Sequence, residues 1–494
     1  MAQEDPSSAA SDGILGEAAA ERGGAAGGRK AYLIALIIAQ ASAFGRSVVL
    51  ARLIGPEQMG LAAIIVVTAQ FFDSITDTGA DRFLVQDRHG DTREAAGAVH
   101  LVAVSKGILI AVLLLLLAEP IASFTGAPQT AEALRVLAIV PFLNGFTNYD
   151  FRVAQRHHQF APEARVMLVS EVSGLIATAI AAFIVRDFTA VLYGLAVRAL
   201  AGMLTSQWVA SKGYFLRYSK DVALRLWKFG APLMVNGFCI FLATQSDRVI
   251  ISRFLNFADL GRYTVVLLLG LYPSLMLMRF ISALYLPLIA GQRDDRGEAL
   301  RIADRLESSA ILLGVTIAVG FALVVPTLLP LIFGSRFATS TIVVTLLGLI
   351  TAWRVTAYAP NTIALATGHT RIVLAIQSVR ILGIGLAVFG VQVIGGLSGV
   401  ALGLLAGELL SNLTAVVLVK RSMHWRFGRS AVRYAFALAL GLVLVVRGYA
   451  LDEGSFALAA AATLVPLALF AAAAWHERQV ILQLWKSVPR RARI

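Results

Sequence analysis

Charged residues interrupt segments that are otherwise built of Leu, Ile, Val, Phe, Ala and Gly. Eight cations do so: Arg46, Lys106, Arg135, Arg198, Arg248, Arg279, Arg354 and Arg380. Five anions do so: Asp73, Asp77, Glu171, Asp247 and Glu408. A charge at mid-bilayer costs about 2.5–3.5 kcal/mol or more, so each needs a cavity, a partner or a function. The surplus of arginine suits an anionic ligand, because guanidinium grips phosphate oxygens with paired hydrogen bonds. Carboxylates in an apolar cavity have a raised pKa and can take up and release a proton. Asp77, Glu171, Asp247 and Glu408 are therefore ion-coupling candidates. The plainer alternative for each acid is a structural ion pair with a nearby arginine. Lys106 and Arg198 suit such a pair with Glu171 or Glu408 as well as they suit a ligand. Arg135 is near enough to a segment end to snorkel. Asp73 and Asp77 stand four residues apart, which puts them on one face of a helix.

The segments that hold these residues must cross a membrane. The chain has 494 residues, of which 58% are hydrophobic and 15% charged, where a soluble protein carries about 25% charged. Runs such as Gly107–Ala118 are apolar on every face, unlike the alternation of a β-barrel. The expected fold is an all-α polytopic membrane protein of about 14 transmembrane helices. A single cysteine, Cys239, rules out a disulfide within the chain. No cofactor and no metal site is called for.

With the N-terminus placed inside, 29 of the 43 Lys and Arg fall in inside segments, 6 in outside segments and 8 within spans. That bias puts both termini in the cytoplasm. It also explains the net charge of +13 without nucleic acid. Residues 1–30 read as a disordered cytoplasmic tail without the apolar run of a signal peptide. Spans 1–6 fill an N-lobe, 31–211, and 212–228 is a basic cytoplasmic linker. Spans 7–12 fill a C-lobe, 229–420. Spans 13 and 14 lie in 431–475, and 476–494 is a basic cytoplasmic tail. The basic patches Lys212–Lys228 and Lys420–Arg433 mark topology and contact anionic lipid. Contact with polysaccharide assembly enzymes is a weaker reading of them. Prolines within spans, among them Pro141 and Pro326, read as ordinary kinks.

The two lobes echo each other. Shifted by 201 residues, Val48–Gly60 (VVLARLIGPEQMG) lies over Val249–Gly261 (VIISRFLNFADLG), with Val48/Val249, Arg52/Arg253 and Gly60/Gly261 identical. Arg165–Leu175 lies over Arg371–Ile381 in the same order along the chain. An even number of spans per copy makes the copies parallel repeats about an axis along the membrane normal.

The stretch ARLIGPEQMGLAAI from Ala51, followed by Asp77-Thr-Gly79, resembles the N-terminal signature of polysaccharide-repeat-unit flippases. Lys228-Phe-Gly-Ala-Pro232, Ser246–Arg253 and Leu260-Gly-Arg-Tyr263 resemble the start of their second lobe, and Ala364–Gly368 is similar too. The resemblance covers roughly residues 30–420. It implies a member of the multidrug/oligosaccharidyl-lipid/polysaccharide exporter superfamily in the bacterial inner membrane. Such proteins are not enzymes. They carry undecaprenyl-pyrophosphate-linked oligosaccharides from the inner to the outer leaflet by alternating access, for exopolysaccharide and other surface polysaccharide biosynthesis. In the family the cleft between lobes is walled partly by spans 1, 7 and 8, which carry Arg46, Arg248 and Arg279. Arg354 and Arg380, on spans 10 and 11, complete the expected substrate-binding set. The expected partners are a lipid-linked oligosaccharide and membrane lipids.

Two alternatives stand beside this reading. A multidrug cation antiporter of the same superfamily would want an acid-dominated cavity, which the cation surplus opposes. A polytopic polysaccharide polymerase or ligase would need a long external loop or a convergent His/Asp/Arg site. All seven histidines but His100 fall in loops or at span ends.

Overall fold

A computed structural model describes residues 6–291, 296–423, 428–455, 457–464 and 468. No strand occurs among the described residues. The helices are α1 (Pro6–Ile75), α2 (Ala80–Gln86), α3 (Arg93–Phe124), α4 (Ala131–Leu137), α5 (Ile139–Gly145), α6 (Asp150–Arg156), α7 (Ala161–Ile184) and α8 (Ala190–Val209). They continue with α9 (Lys220–Phe254), α10 (Phe257–Ala290), α11 (Arg296–Leu323), α12 (Val325–Phe333), α13 (Thr341–Thr356), α14 (Tyr358–Ala366), α15 (Thr370–Val393), α16 (Gly396–Ser422) and α17 (Gly428–Asp452).

Contacts divide the chain into two units. One holds Met1–Ile54 and Ile65–Phe238, the other Gly55–Ile64 and Cys239–Ile494. The division falls inside α9. Of the basic stretch 212–228, the part from Lys220 onward already belongs to that helix.

Nine helices among the described residues are long and apolar enough to cross a membrane. Several carry outward-facing Leu, Ile and Phe, such as Leu116, Ile184, Phe389 and Leu442, that water would not tolerate in such number. The chain is an all-α, multi-pass membrane protein. Some expected spans are interrupted. Residues 132–151 divide into α4 and α5 at Ala138, because Pro141 has no N–H for the carbonyl one turn back and its ring crowds that carbonyl. Residues 306–332 divide at Val324, with Pro326 in the first turn of α12, where its missing N–H costs nothing. The stretch 6–30, expected to be disordered, is helical as the start of α1, and its many alanines favour that state. Most of 455–475, the expected last span, lies outside the described residues, as does 476–494.

The opening turn is built on glycine. Gly55, at φ 79° and ψ 176°, breaks α1, and Pro56 starts the next helical run. At Gly60 a Cβ would sit 1.9 Å from the Phe257 carbonyl oxygen. At Gly261 it would sit 1.9 Å from the Pro56 carbonyl oxygen. The two turns thus meet reciprocally, each glycine against the other turn's backbone. Backbone cannot rotate away as a side chain can, so overpacking here costs about 1–3 kcal/mol or more. Gly60→Ala and Gly261→Ala are each expected to lower the melting temperature in detergent by several degrees. Gly320→Ala, with open space around it, should leave it unchanged or raised. Equal melting temperatures for all three would contradict this packing.

Helices α15 and α16 lie against each other through glycine. A Cβ on Gly407 would stand 2.4 Å from the Cα of Gly383, and one on Gly399 would stand 2.3 Å from the carbonyl oxygen of Gly390. Small residues let backbones approach this closely in membranes. The close crossing brings Glu408, next to Gly407, and Arg380, one turn before Gly383, within reach of each other. α17 is tied on by its own contacts. Asp452 accepts the Thr341 and Ile342 amides at 2.8 and 3.0 Å, and the buried Lys420 donates to Glu307 at 3.2 Å and to Ser430 at 2.6 Å.

Candidate functional site

The second unit contains a cavity of about 480 Å³ among α9, α10, α13, α14 and α15. Three arginines line it: Arg248 from α9, Arg354 from α13 and Arg380 from α15. Their polar neighbours follow from helical spacing. Gln245 precedes Arg248 by three residues and Gln377 precedes Arg380 by three, so each amide shares a face with its arginine. Tyr358 and Asn361 follow Arg354 by four and seven, across the α13–α14 junction, and reach the same cavity. No Asp or Glu lines it.

The acids stand behind the arginines. Glu408, on α16 and with only 2% of its side chain exposed, accepts Nε of Arg354 at 2.7 Å through one oxygen and Nε of Arg380 at 3.1 Å through the other. One buried carboxylate therefore orients two guanidiniums. Because it engages Nε, it does not occupy the two Nη groups of Arg354, which lines the cavity. Arg380 is further held by Gln377 at 2.8 Å. Arg248 donates to the Thr244 carbonyl at 3.1 Å and to the Gln245 amide oxygen. Asp247, its neighbour, accepts the Tyr263 hydroxyl at 2.6 Å and the Arg248 amide at 2.8 Å. The Asp247–Arg248 ion pair is long, at 3.4 Å. Three arginines against two acids leave the site cationic. Buried Ser274 Oγ and Asn361 Oδ1, on cavity-lining residues, have no hydrogen-bond partner among the described residues. Unpartnered buried polar atoms are costly, and a polar ligand would satisfy them.

The first unit repeats the motif of one carboxylate between two arginines. Glu171 of α7 accepts Arg198 Nε of α8 at 2.5 Å and Arg46 Nη1 of α1 at 3.3 Å. Here too a glycine crossing sets the pair. A Cβ on Gly174 would meet the Cβ of Arg198 at 2.9 Å and the Gly194 carbonyl oxygen at 3.3 Å.

The expected site residues are thus distributed as follows. Arg248, Arg354 and Arg380 share one cavity. Arg46 belongs to the first unit, bound to Glu171. The side chain of Arg279 lies outside the described residues. Among the acids, Glu171, Asp247 and Glu408 are buried partners of arginine. Asp77 departs from its expected place on a helix face. α1 ends at Ile75, and Asp77 closes the following turn, accepting the Gly79 amide at 3.0 Å and Arg82 at 3.2 Å. The reason is local: Gly79 adopts φ 60°, and an Asp two residues earlier caps such a turn with its own side chain. Arg135 reaches the exposed Glu119 and Glu132. Sequence reasoning passed over Gln245, Gln377, Tyr358, Asn361 and Ser274. Spacing of three, four and seven from an intramembrane arginine was the available signal for the first four.

The chain is 27% identical over 295 residues to the succinoglycan biosynthesis transport protein ExoT of Rhizobium meliloti, a match taking in 59% of this chain and 58% of that protein. The match therefore spans little more than half of that relative. Identity to the lipopolysaccharide biosynthesis protein WzxC of Escherichia coli is 24% over 439 residues, across 86% of this chain and 87% of that one. In fold the chain is similar to the lipid II flippase MurJ in its inward closed conformation, with a TM-score of 0.68 at 13% identity, covering 91% of this chain and 99% of that chain. Residues 49–342 match the model of a family described as polysaccharide biosynthesis protein, and the chain belongs to that family.

Proposed function

We propose that this protein is a flippase for lipid-linked oligosaccharide repeat units in surface polysaccharide biosynthesis, and that the arginine cavity of the second unit holds the diphosphate of the cargo. The observation that carries the reading is the cavity lined by Arg248, Arg354 and Arg380 with no acid in its wall. Similarity to a succinoglycan biosynthesis transport protein, a lipopolysaccharide biosynthesis protein and a lipid II flippase supports this cargo class. The protein resides in the bacterial inner membrane with both termini cytoplasmic, as the Lys/Arg bias supports. Residues 31–211 and 229–420 act as parallel lobes that open the cargo cavity alternately to each side. The lipid tail stays in the bilayer while the diphosphate sits among Arg248, Arg354 and Arg380.

Cargo phosphate shares Arg354 and Arg380 with the Glu408 carboxylate, which holds them through Nε. Glu171 likewise pairs with Arg46 and Arg198. A multidrug cation antiporter would need the opposite polarity, and the arginine lining opposes it.

Deleting the gene in its host tests the reading. Surface polysaccharide should disappear and lipid-linked repeat units should accumulate on the inner side of the membrane. Normal polymer with no accumulation would overturn the flippase assignment.

A further inference from the structure

We propose that the first unit carries a separate binding site for the phosphate headgroup of an anionic glycerophospholipid. The site is a cavity of about 390 Å³ whose wall contains Lys106 of α3 and Arg217 of the segment before α9. No carboxylate lines it, and no carboxylate oxygen comes within ion-pair distance of either cation among the described residues. Lys106 does feel Asp73 through space. Thr76, Thr78 and Ser219 add hydroxyls to the same wall. Two unpaired cations with hydroxyls around them suit a phosphate monoanion.

The cavity is graded along its length. At one end Arg217 sits beside Gly97, with its amide bonded to the Gly97 carbonyl at 3.2 Å. Tyr218 and Trp227 stand there largely exposed, at 71% and 62%, as aromatic residues do at headgroup level. At the other end the wall turns apolar, with Leu109 and Met234. Lys106 lies about 20 Å along α3 from Arg93 at 1.5 Å per residue, and helical side chains lean toward the helix N-terminus. It therefore reaches back toward Arg217, as a snorkelling lysine does. A charged and aromatic mouth over an apolar floor matches an amphiphile that lies with its chain in the bilayer. The leaflet is the one on the side of 212–228, which the Lys/Arg bias assigns to the cytoplasm. Two cations with hydroxyls match a single phosphate headgroup rather than the diphosphate assigned to the arginine cavity, so a bulk lipid is the occupant. This site is independent of the arginine cavity in the second unit.

The test uses the purified full-length protein in mixed micelles holding equal amounts of phosphatidylglycerol, phosphatidylcholine and a polyisoprenyl phosphate, with retained lipid read by native mass spectrometry. Wild type should retain phosphatidylglycerol in preference to both others. Lys106→Gln with Arg217→Gln should weaken that retention by about tenfold or more, two near-surface cations having been removed. Arg217→Gln alone, at an exposed position, should weaken it severalfold, and Lys106→Arg should keep it. Equal retention by wild type and by Arg217→Gln would overturn the site, as would equal retention of phosphatidylglycerol and phosphatidylcholine. Preferential retention of the polyisoprenyl phosphate would overturn the phospholipid assignment and make the cavity an antechamber for cargo.

Discussion

Arg354→Ala and Arg380→Ala should each reduce polymer export by about tenfold to a hundredfold while the protein remains in the membrane. A hydrogen bond to a charged group contributes about 1.5–3 kcal/mol, and in an apolar cavity a lost phosphate contact has no water to replace it. Each substitution still leaves Glu408 one arginine, so the buried carboxylate is not stranded. Arg354→Lys and Arg380→Lys should restore export only in part. The ammonium keeps the charge, but it cannot bind Glu408 through Nε and offer a two-pronged fork to phosphate at once. Arg301, exposed and paired locally with Glu298, is the control, and Arg301→Ala should export normally. The assay is complementation scored for surface polysaccharide, with protein level measured in parallel. Stable alanine variants with normal export would remove these arginines from the mechanism.

Glu408→Ala should be the most destabilising single change in the second unit. It leaves two guanidiniums on α13 and α15 without their shared buried counter-charge, and breaking such a pair costs about 3–5 kcal/mol. Glu408→Gln should cost less, since the amide oxygen still accepts one of the two Nε bonds. The same vacancy carries a further consequence. With its internal anion gone, the cavity should bind an external one more tightly, and a ligand that binds only the folded state raises stability as its concentration exceeds its dissociation constant. Inorganic pyrophosphate should therefore raise the detergent melting temperature of Glu408→Ala by more than that of wild type. Glu171→Ala should lose stability in the same way through Arg46 and Arg198. No pyrophosphate effect on Glu408→Ala would argue that the arginines are structural.

The charges themselves were legible in the chain, because Arg and Glu stand out against Leu, Ile and Val. So was the helical class, since apolar runs of that length have no other stable form in lipid. The kink at Gly55 was legible as a Gly-Pro turn, whereas the 201-residue echo gave no sign that the turns around Gly60 and Gly261 meet. Pairing was not legible. Glu408 meets Arg354 and Arg380 only because the α15–α16 glycine crossing and the packing of α13 bring three distant helices together. The grouping of Arg248 with these two likewise depends on tertiary arrangement. Asp77 misled for the opposite reason, since local turn chemistry at Gly79 overrode the helical spacing with Asp73. The breaks near Pro141 and Pro326 were visible as prolines, but whether a proline bends a span or divides it depends on the packing around it.

The central claim is that the cationic cavity of the second unit carries a diphosphate-linked cargo across the bilayer. Its most direct test is transport by the purified protein in liposomes, with a fluorescent polyisoprenyl-diphosphate oligosaccharide followed as it becomes accessible to a quencher on the far side. The wild-type protein should translocate it, an Arg354→Ala/Arg380→Ala double variant of equal incorporation should not, and added pyrophosphate should inhibit the wild type. Equal translocation by the wild type and the double variant, with no inhibition by pyrophosphate, would contradict the claim.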